Sequence, residues 1–147
     1  MEHSQTVSAP DADELARMEA RRASVHAYLA PESRASLETP AGKLGLIRAL
    51  LAAGVFRPAQ TAELQSLGIV LGDALVQHVE GGEWVTVEDE YGRDPAVRIR
   101  GTTVLLFPLT MISKRVEAGE PVDVFALFNG LLDHIDDLRT RADGGAP

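Results

Sequence analysis

Residues 83–115 hold most of the chain's strand-forming sequence, and this stretch constrains the fold more than any other. Apolar and polar residues alternate from Trp84 to Glu88 and again from Ala96 to Arg100. A period of two residues is typical of β-strands because successive side chains point to opposite faces. The apolar run Thr103–Phe107 follows directly and predicts a third, central strand.

The residues between the first two strands, Asp89–Pro95, predict a tight turn. Gly92 can adopt the positive φ that such a reversal commonly needs, and Pro95 cannot donate a backbone hydrogen bond to a neighbouring strand. We therefore expect a β-hairpin. An ion pair between Asp89 and Arg93, partly exposed, is predicted to hold its turn together.

The segment from about Thr61 to Glu80 shows the strongest helical periodicity in the chain. Gly68 and Gly72 each lower helix propensity by about 1 kcal/mol relative to Ala, so their presence predicts that another backbone packs closely there. A sheet face is the expected partner. Further helices are predicted from Asp11 or Asp13 to about Ala30, from Ala41 to Ala53, from Pro108 to Gly119, and after Asp123.

These elements predict an α+β fold, in which a long central helix packs on a three-stranded antiparallel sheet accompanied by N- and C-terminal helices. A chain of 147 residues with 45% hydrophobic content suits one core of ordinary size. We expect a flexible N-terminus over residues 1–10, a single α+β domain over residues 11–140, and a flexible C-terminus over residues 141–147.

Three segments occur in order at compatible spacing: LGIVLGDAL (Leu67–Leu75), EWVTVEDEYGRDPAVR (Glu83–Arg98) and LLFPLTMISKRVEAGEPVDV (Leu105–Val124). In these segments the chain resembles an uncharacterised bacterial family, domain of unknown function 3806, over about residues 60–132. The resemblance implies a bacterial protein with an α+β fold. Because the family carries no established activity, substrate or catalytic residues, it implies nothing about the site.

Charge is distributed unevenly along the chain. Residues 1–60 hold equal numbers of acids and bases, so the net charge of −8 arises after residue 60. An acidic surface repels phosphates and anionic lipids, which predicts no binding to nucleic acid or membranes and favours a basic protein as partner. Solubility alone would also explain this charge. The absence of Cys and of a long uninterrupted apolar segment predicts a soluble, cytoplasmic protein.

The sequence contains no catalytic, metal-binding or phosphate-binding motif with a known mechanism. Its four histidines are scattered and form no paired motif: His3, His26, His78 and His134. We therefore predict no catalytic residue, no metal and no cofactor. The favoured interpretation is a non-enzymatic, acidic module that binds another protein, as immunity-type or adaptor proteins do.

Candidate partner-binding residues fall on the hairpin, on the helix after Pro108 and on the final helix: Trp84, Asp89, Tyr91, Arg93, Arg98, Lys114, Arg115, Asp133, Asp136 and Asp137. The alternative is a small-molecule-binding protein or enzyme with a polar site near Asp89, Tyr91, Arg93 and Lys114. The apolar seam of the final helix is compatible with a homodimer, although such a seam more often faces the protein's own core.

Two of these predictions have a structural alternative. Trp84 either packs in the core or joins Tyr91 and Arg98 in an open aromatic and basic patch, a composition enriched at interface centres. Lys114 and Arg115 either bind an anion or an acidic peptide, or stabilise the C-terminal end of their helix through its dipole.

Overall fold

The computed structural model describes the backbone of residues 4–144 and the side chains of residues 4–141. Its strands are β1 (Thr6–Ser8), β2 (Gly82–Asp89), β3 (Gly92–Ile99) and β4 (Leu105–Leu106). Its α-helices are α1 (Ala12–His26), α2 (Pro40–Ala52), α3 (Thr61–His78), α4 (Met111–Glu117) and α5 (Val124–Gly144), and 3₁₀ turns span Pro31–Glu38 and Pro108–Thr110. The predicted α+β class is confirmed.

Within residues 4–144 the sheet has four antiparallel strands in the order β1-β2-β3-β4, so the prediction of three strands is wrong. The additional strand, β1, lies in the segment predicted to be flexible and pairs Val7 with Val87. A strand of three residues is too short to show a period of two, and its partner lies far along the chain. The predicted hairpin forms, with Gly92 at a φ of 134°.

The sheet presents different residues on its two faces. Trp84, Thr86, Val97 and Ile99 point towards the helices, and Val97 and Ile99 belong to the main core. The opposite face carries a smaller apolar cluster of Val85, Val87 and Ala96, with Val7 and Leu105 packed against it. Both faces of β2 therefore pack against apolar neighbours. The alternation along this strand distinguishes the two faces of the sheet, and not core from solvent.

Helix α3 lies at the centre of the main core, with Leu64, Leu67, Leu71 and Leu75 fully buried. A Cβ atom on Gly68 would lie 2.5 Å from the carbonyl oxygens of both Pro108 and Leu109, which confirms the predicted close backbone. The partner is the turn that follows β4, however, and not the sheet. At Gly72 the close neighbour is a side chain, the indole of Trp84, 2.2 Å from such a Cβ.

Capping residues fix the ends of the terminal helices. Asp11 accepts a hydrogen bond from the Glu14 amide while the Glu14 side chain accepts one from the Asp11 amide, a reciprocal capping box. Asp123 accepts from the Ala126 amide and caps α5 as predicted. The segment predicted to be flexible from residue 141 continues α5 as far as Gly144, and residues 145–147 lie outside the described residues.

The apolar seam of α5 faces the protein's own core, because Val124, Phe128 and Ile135 are all buried in the main cluster. This packing accounts for the seam without a second copy. Between residues 4 and 144, none of the helices combines the length and the apolar character that a membrane crossing requires.

Candidate functional site

Glu14, on the first turn of α1, joins this helix to the β2–β3 hairpin. Its carboxylate accepts hydrogen bonds from Arg93 Nε at 3.1 Å and Arg93 Nη2 at 2.9 Å, and from Thr86 Oγ1 at 3.1 Å. Arg93 Nη1 donates to Glu88, its cross-strand neighbour, at 3.1 Å. A two-pronged arginine–carboxylate contact fixes orientation as well as distance. The N-terminal end of α1 is therefore held in one position against the hairpin.

These contacts shift the ionisation of both groups. Hydrogen bonds from Arg93, from the Asp11 amide and from Thr86 lower the pKa of Glu14 to about 2. The hydrogen bond to Glu14 in turn raises the pKa of Arg93. Both groups are therefore charged at neutral pH, and Glu14 has no proton to donate to a ligand there.

A cavity of about 190 Å³ opens beside this ion pair. One face of α1 supplies Glu14, Arg17, Met18 and Arg21, whose spacing of three and four residues places them in a single row. The remaining walls come from α3, from the hairpin and from the turn after β4: Ile69, Thr86, Arg93, Asp94, Pro95 and Leu109. We call this space the Glu14 cavity.

A second cavity, of about 330 Å³, adjoins the first, because Asp94, Pro95 and Leu109 line both. Phe107, Thr110 and Lys114 complete its walls, and we call it the Lys114 cavity. It lies where β4 ends after two residues, so that the outer half of β3 has no neighbouring strand on that side within the described chain. We refer to the two cavities together as the α1–β3 groove.

The groove carries more cations than anions, although the whole chain has a net charge of −8. Its basic residues are Arg17, Arg21, Arg93 and Lys114, and its acidic residues are Glu14 and Asp94. Arg17, Lys114 and Asp94 are all exposed. A positive groove on an acidic protein is a local exception to the charge pattern, and local charge governs contacts shorter than the Debye length of about 8 Å.

A second arginine–carboxylate pair joins the C-terminal half of α1 to α3. Arg22 Nε and Nη2 donate to the two oxygens of Asp73 at 2.6 and 2.8 Å. Trp84 Nε1 donates to Asp73 Oδ1 at 3.0 Å, which ties β2 to the same carboxylate. Asp73 thus links three elements through one half-buried side chain, a structural role.

Trp84 is partly buried and packs against the main core, which agrees with the core interpretation. The alternative patch of Trp84, Tyr91 and Arg98 does not form. Arg98 lies on the opposite sheet face, where its Nη2 contacts Glu83 at 2.6 Å, and Tyr91 is 88% exposed at the hairpin tip.

The hairpin turn is held differently from the prediction. Asp89 accepts a hydrogen bond from the Tyr91 amide at 2.8 Å, whereas Arg93 pairs with Glu14 and Glu88, so the predicted Asp89–Arg93 pair is wrong. An aspartate two residues before an amide forms its own local turn, and this leaves Arg93 available to a distant partner.

Of the residues predicted to form a polar site, the fold places Arg93 and Lys114 in adjoining cavities. Neither of these two cavities is lined by Asp89 or Tyr91. Arg115 donates from Nη1 to the carbonyl of Met111 at 2.7 Å, within its own helix. This contact agrees with the structural interpretation of Arg115 and leaves Lys114 as the cation of α4 that lines the groove.

The acidic residues of α5 are exposed but lie among bases. Asp137 pairs with Arg141 at 3.1 Å, and Asp136 lines a small hollow together with Arg139. Asp133 is exposed. The face is therefore less uniformly negative than the three aspartates alone indicate.

Sequence reasoning missed the α1 side of the groove. Glu14, Arg17, Met18 and Arg21 share one helix face at three- and four-residue spacing, a visible pattern, but nothing local showed that this face meets the hairpin. Among the side chains that the structure describes, no group of three or more His, Asp or Glu is placed to hold a metal ion.

Comparison with known proteins supports the fold and the family. A crystal structure at 1.50 Å from Bacteroides thetaiotaomicron VPI-5482 is similar, with a TM-score of 0.74 and 20% identity. The similarity covers 90% of this chain and 49% of that one, so this chain spans about half its length. No curated protein matches the chain. The family model described as Domain of unknown function (DUF3806) matches residues 43–128, more than half of the 147 residues. The chain belongs to this family of unknown function, as the resemblance in its central segments indicated.

Proposed function

We propose that this protein is a non-enzymatic binding module and that its binding surface is the α1–β3 groove. One observation carries the proposal: two adjoining cavities, of about 190 and 330 Å³, share a wall and are lined by cations on an otherwise acidic chain. Binding sites are typically concave, with a largely apolar lining and a few polar groups that orient the ligand. Of the apolar lining residues, Leu109 is partly exposed, whereas Met18 and Ile69 are buried.

The chemistry of the lining supports binding more than catalysis. A general acid or base works best when its pKa lies near the working pH. Glu14 has a pKa of about 2 and is held by Arg93, so it remains an ionised anchor at neutral pH. The groove thus has groups that orient a charged ligand, while its central carboxylate is poorly suited to proton transfer.

A chemical-shift screen tests the proposed surface. We would titrate the isotope-labelled protein with a library of small acids, bases and short peptides and map the residues whose amide resonances move. The proposal expects that binders shift residues 14–21, 93–96 and 107–114 together, since these segments line the groove. Binders that shift only α5, or only the hairpin tip at Tyr91, would show that the surface is elsewhere.

Asp133, Asp136 and Asp137 stay a predicted contact for a basic protein partner. Their exposure is compatible with this role, and the ion pair of Asp137 with Arg141 weakens it. Replacing all three with Lys and comparing native mass spectra of protein isolated from its own host tests the prediction. Unchanged partner peaks would remove it. A homodimer, a bacterial source and a cytoplasmic location likewise remain predictions.

A further inference from the structure

We infer that the occupant of the α1–β3 groove is an extended segment of a partner protein that carries acidic side chains, bound by Arg17 and Lys114. The inference rests on the proposed function and adds the chemistry of the ligand. It follows from which groove side chains already have partners within the protein and which do not.

Two of the four groove cations are already engaged. Arg93 uses Nε and Nη2 on Glu14 and Nη1 on Glu88. Arg21 donates from Nη1 to the carbonyl of Ala62 at 3.0 Å and from Nη2 to Gln65 at 3.5 Å. These arginines line the groove, and most of their hydrogen-bond donors already have acceptors within the protein.

Arg17 and Lys114 differ from the engaged pair. Both side chains are exposed, and neither forms a hydrogen bond or ion pair with any residue that the structure describes. One lies in each cavity, on either side of the shared wall. Two separated cations suit a ligand that presents two anionic groups at intervals along its length.

Asp94 favours a peptide over other anionic ligands. It lines both cavities, is exposed, and has no partner among the described residues, so its negative charge lies beside both cavities, although its pairing with Val87 places its side chain towards the other sheet face. A polyphosphate or nucleic-acid backbone presents negative charge there and would be repelled. A peptide carries its charges on separate side chains, so it can place neutral backbone beside Asp94 and its acidic side chains beside the two cations.

We expect the groove to bind the segment through its side chains and not by adding it to the sheet as a further strand. Pro95, on the open side of β3, has no N–H to offer to an added strand. Leu109 lies in the shared wall and Phe107 is 40% exposed, so an apolar side chain between the two acidic ones has a surface to cover. The expected segment is acidic, then apolar, then acidic.

The net charge of −8 opposes an acidic ligand at long range, whereas the groove attracts it at short range. Added salt screens charges over a Debye length of about 8 Å at physiological ionic strength, which weakens both effects. We therefore expect slow, unsteered association and an affinity that depends on contacts inside the groove.

Three probes test the inference by chemical-shift titration. The first is a short acetylated, amidated peptide in which two glutamates flank a leucine. The second has lysines in place of the glutamates, and the third is inorganic tripolyphosphate. The glutamate peptide is expected to shift groove resonances and to bind at least about tenfold more tightly than either other probe.

Charge reversals identify the contacts. Arg17→Glu and Lys114→Glu should each weaken binding of the glutamate peptide about fivefold or more, because each removes one exposed ion pair and adds repulsion. Arg34→Glu is the matched control. It makes the same change in net charge at an exposed residue that lines neither cavity, and it should leave the affinity within about twofold.

The outcomes separate the two proposals. Equal weakening by all three reversals would show that only net charge matters and would overturn the inference. Equal or tighter groove binding of the lysine peptide or of tripolyphosphate would overturn it too, while leaving the groove as the binding surface. If none of the three probes moves groove resonances, the inference fails alone, because the broader library screen tests the proposed surface independently.

Discussion

The two halves of α1 are each anchored by an arginine–carboxylate pair, but the pairs lie in different surroundings. Arg22 and Asp73, in the C-terminal half, have side chains that are 22% and 15% exposed, and Asp73 also accepts the Trp84 indole N–H. Arg93, which holds Glu14 at the N-terminal end, is 39% exposed and is shared between Glu14, which is 12% exposed, and Glu88, which is 49% exposed.

The difference separates a fixed anchor from an adjustable one. Removing one partner of a half-buried pair leaves the other charge poorly solvated, which is costly. The Arg93 guanidinium has more access to water than the other three charged groups of the two pairs, so its pair with Glu14 is screened more by salt. The adjustable anchor borders the groove, whereas the fixed anchor lies away from it, so the helix can be stable while the rim of the groove adapts to a ligand.

The largest expected effect is at the fixed anchor. Asp73→Ala should lower the free energy of unfolding by about 3 kcal/mol, because Arg22 and the Trp84 indole both lose their acceptor. Urea denaturation followed by circular dichroism measures it. Glu19→Ala, which removes the exposed partner of the same arginine, should cost less than about 0.5 kcal/mol. Equal losses in both variants would contradict a special role for Asp73.

A substitution at Gly72, where the Trp84 indole packs against α3, should have the next largest effect. A methyl group at residue 72 would overlap the indole ring, so Gly72→Ala should destabilise by about 2 kcal/mol despite the gain in helix propensity. Gly130→Ala is the matched control, since a Cβ there meets nothing within 4 Å, and it should stabilise by about 0.5–1 kcal/mol. A stabilised Gly72→Ala protein would mean that Trp84 can move without cost.

The stabilisation that the Glu14–Arg93 pair provides should decrease at acidic pH. The pKa of Glu14 is lowered from 4.5 to about 2, so the folded protein binds this proton more weakly than the unfolded chain does. The stabilisation is fully present above about pH 4.5 and is lost as the pH falls towards about 2. Glu14→Gln should therefore reduce the slope of stability against pH in this window.

The control for Glu14→Gln is Glu120→Gln. Glu120 is exposed, and its side chain has no hydrogen bond or ion pair with the described residues. Stability at each pH comes from urea unfolding. A slope in Glu14→Gln equal to that of the wild type would show that Arg93 does not hold the carboxylate in solution.

The smallest expected effect concerns salt. Arg93→Gln should be mildly destabilising at about 0.1 M salt, and its difference from the wild type should shrink at about 1 M, where the Debye length is about 3 Å. The loss in Asp73→Ala should change little over the same range, because that pair is shielded from solvent. If salt reduced both losses in proportion, the two anchors would not differ in kind.

Local signals predicted most of the fold. The hairpin followed from alternation and Gly92, and the close packing of α3 followed from Gly68, because a glycine in a helix interior needs a reason. The third-strand prediction located β4 but was wrong about its length and its place, because β4 has two residues and lies at the edge of the sheet, not in its centre. What failed was β1, whose three residues become a strand only through their pairing with β2.

The site was less predictable because its parts are brought together by tertiary contacts. Arg93 was identified as a candidate, yet its partner was expected at Asp89, four residues away, and is Glu14 on another element. Lys114 was named without the row of α1 residues that faces it. Sequence periodicity identifies which residues share a helix face, but it does not say which strand that face will meet.

The pairing of β1 with β2 also bears on the order of events during synthesis. Thr6 pairs with Glu88, so the partner of β1 is made roughly 80 residues later. At a synthesis rate of about 5–20 residues per second, β1 and α1 are made about 4–16 s before the hairpin against which they pack. Met18 and Val25, buried in the finished protein, have no sheet or central helix to cover them early in that interval. β1 is thus made before the rest of its sheet, and until the hairpin emerges β1 and the apolar face of α1 lack their partners there, which exposes this part of the nascent chain to chaperones and proteases.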